Sequence, residues 1–257
     1  MIVDEVKEEY VKNLLKKGKR ADGRGMMDYR PISVEKNYLQ NAEGSAFASI
    51  GDSKVLAAVK FDLVEPFKDR PEEGVLMVNS EFTIMAHPEF ESGPPNEKVI
   101  ELARVVDRGI RSAEAIDVKK FFLEEGKAYG LFIDLWVLDH SGNLTDTAAL
   151  AAMAALRCTK VPKYEDGKII REEYKGPLEL ERDIVTSSFE KIDGKMVVDA
   201  TDEEEIASDG RLTMASCGND MLCAGQKSGR AGFTTDEIMG VIDIAFEKRK
   251  ELMKFVK

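Results

Sequence analysis

An α+β fold of two α/β subdomains is what this sequence predicts, and three observations predict it. Runs with apolar residues at alternate positions are followed by runs with a helical period, and this order of strands then helices occurs twice along the chain. Between the two sets, residues 160–183 are charged and carry Pro162, Gly167 and Pro177, the composition of a connection. A length of 257 residues is enough for one large domain or two small ones.

The elements follow in order. Residues 4–17 read as a charged helix with Val6, Tyr10, Val11, Leu14 and Leu15 on one side, stopped by Gly18 and docked on the body. A loop rich in glycine and charge follows, KKGKRADGRGMMDYRPI, with Arg20, Arg24 and Arg30. Residues 1–30 thus form an N-terminal helix and loop ahead of a first subdomain, 31–160. Strands are expected over 32–39, 45–50 and 54–63, the last two closed as a hairpin at Gly51-Asp52-Ser53, and over 75–85. The polar loops VEPFKDRPEEG and HPEFESGPP lie before and after that fourth strand. The second leads into a helix over 96–111, so both are expected to wall a site on it. A strand over 127–138 and a turn at Asp139-His140-Ser141-Gly142-Asn143 precede TAALAAMAALRC. This small-residue helix is expected to be buried on nearly all sides, with Thr145 or Asp146 as its cap. After the connection, 161–183, the second subdomain spans 184–257. It has strands over 184–191 and 195–199 around Asp193-Gly194, strands near 212–217 and 221–226, and a last helix from the capping box Thr234/Glu237 to about residue 255.

Composition narrows the function classes. No run approaches the roughly 20 apolar residues a membrane helix needs, and the opening MIVDEVKEEY is too acidic for a secretory signal, so a cytoplasmic protein without a membrane partner is expected. Cys158, Cys217 and Cys223 form no CxxC pair, which argues against a disulfide framework or structural zinc and fits a reducing compartment. His87 and His140 are the only histidines and read as surface or turn residues, not ligands. A net charge of −11 opposes broad adhesion to nucleic acid, so any RNA contact is confined to a local patch or lies beside a more basic partner.

That patch is found in NEKVIELARVVDRGIR. At about 100° per residue, Val99, Leu102, Ala103, Val106 and Ile110 share one face, while Arg104, Arg108 and Arg111 fall nearly opposite. Glu101 is placed to pair with Arg104 or Arg108, and Asp107 with Arg111. The guanidinium forks still outnumber these acids and suit phosphate. From these residues alone, a solvated amphipathic face stands on equal terms with a phosphate cradle.

Other chemistry is less defined. The run Thr201-Asp202-Glu203-Glu204-Glu205, with Asp199 before it and Asp209 after it, offers carboxylates to a divalent ion, but its spacing matches no defined ligand loop and a solvated run is the more ordinary reading. QKSGRAG offers backbone N–H groups to an anion yet lacks the Walker and dinucleotide patterns. No nucleophile has an assigned base, and no metal site is assigned.

RADGRG, EGSAFASIGDSKVLAAVK, FESGPP, ELARVVDRGIR, LDHSGNLTDTAALAAMAAL, DATDEEEIASDGRLTMA and QKSG occur in this order, and from about residue 20 onward the chain resembles the ribonuclease-PH family. In detail it is similar to the non-catalytic ring subunit of the archaeal exosome. The resemblance implies a ribonuclease-PH-like fold in which each subdomain has a mixed sheet packed by helices. It implies an alternating heterohexamer with a catalytic ribonuclease-PH-like subunit, RNA-binding cap subunits, and single-stranded RNA degraded 3′ to 5′ by attack of inorganic phosphate. No cofactor is implied for this chain; inorganic phosphate and Mg belong to the partner's site. Where catalytic relatives carry a GGTR-like turn, this chain has Asn143-Leu144-Thr145-Asp146, and a carboxylate there is expected to repel phosphate. Where they carry paired aspartates, ATDEEEIASDGR has altered spacing, with only Asp209 offering an alignment. The expectation is a chain with no catalytic residues, inactive alone, that binds RNA phosphate through Arg104 and Arg108, with Arg111 third. A self-sufficient phosphorolytic exoribonuclease using Asp199, Glu205 or Asp209, and a purely structural ring protein, are the alternatives.

Overall fold

The computed structural model describes residues 2–218 and 221–257. The chain runs α1 (Ile2–Lys16), β1 (Ile32–Lys36), β2 (Gly44–Ile50), β3 (Ser53–Val64), β4 (Val75–Phe82), α2 (Glu97–Ser112), β5 (Phe122–Glu124), β6 (Lys127–Asp139) and α3 (Leu144–Arg157). It continues with β7 (Lys160–Glu165), β8 (Lys168–Pro177), β9 (Ile184–Ile192), β10 (Lys195–Val198), α4 (Asp202–Ile206), β11 (Gly210–Cys217), β12 (Met221–Gly229) and α5 (Thr235–Val256). Among the described residues no helix is long and apolar enough to cross a membrane.

The first sheet has the order β1-β2-β3-β6-β4 with β5 added at β6. It is mixed, because β4 runs parallel to β6 while the other pairs are antiparallel. The second sheet, β10-β9-β11-β12, is antiparallel throughout, so the expected mixed sheet holds for the first subdomain only. Both hairpin turns legible in the sequence are present. Gly51 takes φ +58 between Ile50 and Ser53, and Asp193 and Gly194 take φ +46 and +75, the positive values that a two-residue turn demands.

Three helices fill the space between the sheets. α3 packs on β2 and β3 with one side and on β9 and α5 with the other, so its residues from Leu144 to Leu156 are all buried. Its alanines permit this close approach from both sides, as the sequence foretold. α2 lies on β4 and reaches β12 and β9, and α5 lies on β9, β11 and β1. One apolar core therefore runs from Ile50, Phe61 and Leu131 through Met153 and Leu156 to Phe189 and Leu252. The two subdomains share their helices instead of each owning a set.

Several expectations change at the margins. Among the described side chains of α1, Val11 and Leu15 are buried, against Ile192, Val197 and Ala200, while Val6 and Tyr10 stay exposed. Its buried stripe is narrower than the sequence suggests, and it packs on the short α4 and on Ile192 and Val197 of the second sheet. The connection expected at 161–183 carries the β7–β8 hairpin, turned by Asp166 and Gly167 at φ +49 and +77 and ended at Pro177. Pro162 sits between two register shifts, where its missing N–H disturbs no ladder. The acidic run is not a loop either: Thr201 and Glu204 close a capping box at the start of α4.

Candidate nucleic-acid interface

α2 begins at Asn96, whose side chain accepts the Val99 N–H at 3.0 Å. Val99, Leu102, Ala103, Val106 and Ile110 are buried as expected, which fixes the rotation of the helix and turns Arg104, Arg108 and Arg111 outward. The three then differ. Arg104 makes no hydrogen bond or ion pair with any described residue. Arg108 donates from Nη1 to Gln226 Oε1 at 2.6 Å. Arg111 is committed, with Nε on both oxygens of Asp107 at 2.8 and 2.9 Å and Nη2 on the Leu76 carbonyl. Glu101, expected beside Arg104 or Arg108, instead accepts the Gln226 amide at 3.4 Å. An open groove of about 330 Å³ lies along this face, with Arg104, Val105, Arg108 and Gln226 among its walls.

A second cavity of about 600 Å³ adjoins it on the other side of Glu101 and Gln226, where the loop after β4, the β6–α3 turn, α4 and β11 converge. It contains His87, His140, Thr145, Asp202, Glu205 and Arg211. Of the two loops expected as walls, the one at 87–95 lines this cavity through His87, Pro88, Glu89 and Phe90. The one at 64–74 bounds a separate hollow with Lys119 and Phe122, because β4 carries it to the far end of the sheet.

Both histidines lie in turns, one of the two places expected for them, but they are half-buried and meet each other. Their rings lie 5.2 Å apart, and His140 stacks on Phe90 at 5.5 Å with planes 8° apart. Their Nδ1 atoms accept backbone N–H groups from Glu89 and Gly142, each at 3.2 Å, which leaves both Nε2 atoms protonated and facing Asp202 at 3.8 Å. Burial pushes the His140 pKa down to about 4 against the pull of Asp202.

The seam between the subdomains is held by ions turned inward. Asp199, itself at φ +50, accepts Arg30 Nε and Nη2 at 2.9 and 2.7 Å, Arg24 Nη1 at 2.8 Å and Asn143 Nδ2 at 2.9 Å. Burial raises its pKa, but the Arg30 guanidinium outweighs burial and holds the carboxyl below its ordinary value. Arg20 grips Glu204 through Nε and Nη2 at 2.9 and 2.6 Å. Gly142 takes φ +91 where a Cβ would stand 2.3 Å from the Ala200 carbonyl, so this turn can meet the second subdomain only as glycine.

Asp146 corrects the sequence reading. Its carboxylate does not stand open in the turn: it is 2% exposed and accepts Tyr29 Oη, Ser188 N, Ser188 Oγ and Asn143 Nδ2 at 2.8–3.0 Å. Burial raises its pKa to about 6 despite these donors. The α3 cap is likewise neither Thr145 nor Asp146 but Asn143, at φ 53, whose amide is spent on Asp146 and Asp199 instead of capping.

The carboxylates of the acidic run are taken as well. Glu205 holds the Asn143 N–H at 2.8 Å and Arg211 Nη2 at 2.5 Å, and the exposed Asp209 accepts the Asp193 N–H at 2.8 Å. Asp199, Glu204 and Glu205 already face guanidiniums, which makes each a poor ligand for a divalent ion. QKSGRAG opens as the end of β12, which makes Gln226 a strand residue rather than part of an anion loop.

A two-subdomain α+β body with an arginine helix along the groove between its sheets defines a protein of the ribonuclease-PH class. The chain belongs to the 3′ exoribonuclease family: residues 28–162 match its domain 1 and residues 184–248 its domain 2. It is 44% identical to the exosome complex component Rrp42 of Pyrococcus furiosus, over 99% of this chain and 94% of that protein. Its fold is similar to a chain of the Archaeoglobus fulgidus exosome with RNA bound to the active site, at TM-score 0.93 and 38% identity over the whole of both chains. It is also similar to a chain of an archaeal exosome core, at TM-score 0.87 and 36% identity over 100% of this chain and 98% of that one.

Proposed function

We propose that this chain is a ring subunit of an archaeal exosome that binds the phosphates of single-stranded RNA and completes the active site of a catalytic ribonuclease-PH-like partner in phosphorolytic 3′-to-5′ degradation. The observation that carries the reading is the contrast on α2: among the described residues Arg104 is unpartnered and Arg108 is held only by a neutral amide, both along an open groove. A charge-assisted contact from each to a phosphate oxygen fixes the strand without reading its bases. Arg111, already engaged by Asp107, is a secondary contact.

The chain is inactive alone in this reading. Asp146, Asp199 and Glu204 are spent on the fold, and Glu205 is held by Arg211, so these four carboxylates are not free to assist phosphate attack. The partner's site holds inorganic phosphate and Mg. The working unit in this reading is an alternating heterohexamer in the cytoplasm, joined by RNA-binding cap subunits; the likeness to an exosome complex component and to an archaeal exosome core supports a place in such a complex. The acidic balance of this chain, −11, then makes the RNA path depend on the partner for most of its positive charge.

The test is phosphate-dependent release of nucleoside diphosphates from a short single-stranded RNA, by this chain alone and after assembly with its catalytic partner. Activity in the mixture only is expected. Turnover by the purified chain would instead establish a self-sufficient exoribonuclease.

A further inference from the structure

Arg108 and Arg104 lie one helical turn apart on the same groove, yet among the described residues only Arg108 has a partner, and that partner comes from a different element. Gln226 stands on β12 opposite Thr213 of β11, so its backbone is fixed by the second sheet while Arg108 belongs to a helix packed on the first. Its amide can face Arg108 in either of two ways, and Glu101 decides between them. The Glu101 carboxylate accepts only the NH₂ end, at 3.4 Å, which leaves Oε1 toward Arg108 Nη1 at 2.6 Å. A reversed amide would set its NH₂ against a guanidinium and its oxygen against a carboxylate.

This arrangement differs in kind from that of Arg111. Asp107 holds Arg111 with a charge that cancels it, whereas Gln226 holds Arg108 with a neutral oxygen and takes one donor. Among the described residues the other guanidinium nitrogens of Arg108 have no hydrogen-bond partner. Glu101, Val105 and Gln226 line both the groove and the cavity beside it, and the held Arg108 lines the groove.

We infer that Gln226 is a positioning residue for RNA binding: it orders the Arg108 guanidinium before RNA arrives, with its own amide set by Glu101. The inference rests on the RNA-contacting role proposed for Arg108. Freezing a long side chain is a cost of association, and one met in the free protein is not met again on binding. Gln226 touches no phosphate itself, so its loss changes how tightly RNA binds without changing how many phosphates are contacted.

The experiment measures the affinity of a fluorescein-labelled single-stranded oligoadenylate RNA for the ring assembled from this chain and its catalytic partner, across a salt series. Gln226→Met keeps length and packing but has no acceptor; Gln226→Glu keeps the acceptor and adds a charge; Arg108→Ala is the reference. With Met, Kd is expected to rise roughly threefold to tenfold, with the slope of log K against log salt unchanged. With Arg108→Ala the slope falls by about 0.7, the value for one lost phosphate contact on a single strand. With Glu, the weakening is greatest at low salt and fades as salt screens the added charge. Wild-type or tighter affinity with Met, beside a weakened Arg108→Ala ring, overturns the role of Gln226 and leaves that of Arg108 standing. A changed slope with Met makes Gln226 an RNA contact and also overturns it. An Arg108→Ala ring with wild-type affinity and slope overturns the role of Arg108 itself.

Discussion

Arginines do opposite things in two regions of this molecule. At the seam, Arg20 and Arg30 are buried to 3% and 8% exposure, and carboxylates from the second subdomain meet them. On α2, Arg104 and Arg108 lie in the open and no carboxylate meets either. In the sequence the two sets look alike, as arginines spaced among glycines and acids. The difference is made by what the fold brings opposite them. Charge neutralised inside the protein stabilises the fold, and charge left facing a groove remains available to a ligand.

The comparison is broken most severely at Asp199. Asp199→Ala leaves Arg30 and much of Arg24 without their counter-charge in a buried seam, and is expected to cost about 3–5 kcal/mol in a urea unfolding series. A cost near that of a surface substitution would mean that the seam is wetter than its geometry implies.

Titration sharpens the same contrast. His140 has a folded pKa of about 4, below its ordinary 6.5, because burial favours the neutral ring. Its contribution is therefore complete above the unfolded value and is lost as pH falls from about 6.5 to 4, with a full size of roughly 3 kcal/mol at about 1.36 kcal/mol per unit. Asp146 acts in the other direction: raised from 3.8 to about 6, it contributes stability below 3.8 that is lost as pH rises toward 6. His140→Phe, which keeps a ring against Phe90, should lose less stability than the parent between pH 6.5 and 4. An identical decline in both would assign that decline to other groups.

The smallest effect is expected at Arg111. Its exposed pair with Asp107 is worth about 0.2–1 kcal/mol, so Arg111→Ala should shift the unfolding midpoint slightly and reduce RNA affinity less than loss of Arg108. A larger loss of RNA affinity than at Arg108 would make Arg111 a primary contact.

What the sequence made legible divides along the same line. The α2 face was readable because helical period places its apolar and arginine positions within sixteen consecutive residues. The hairpin turns and the capping box of α5 were readable for the same local reason. The seam was not, since Arg20 meets Glu204 across 184 positions and Arg30 meets Asp199 across 169, and no local spacing signals either pair. Asp146 was misread for want of the same long-range contacts: a carboxylate in a turn has no visible burial until Tyr29 and Ser188 are placed against it. The meeting of His87 and His140 depends on the parallel pairing of β4 with β6, which carries both strands to the same end of the sheet. Gln226 belonged to a glycine-containing run that suggested a loop, and only the pairing of β12 with β11 shows it as a fixed strand residue beside α2.

The most direct test of the account is the double variant Arg104→Ala/Arg108→Ala in the ring assembled with its catalytic partner. Its unfolding midpoint and assembly should match the parent closely, because among the described residues Arg104 makes no polar contact and Arg108 makes a single exposed one, to Gln226. Its RNA affinity should fall roughly tenfold to a hundredfold, the loss expected for charge-assisted contacts, and phosphorolysis should fall with it. An intact ring that bound RNA with full affinity and degraded it at the full rate would contradict the claim that this chain completes its partner's site.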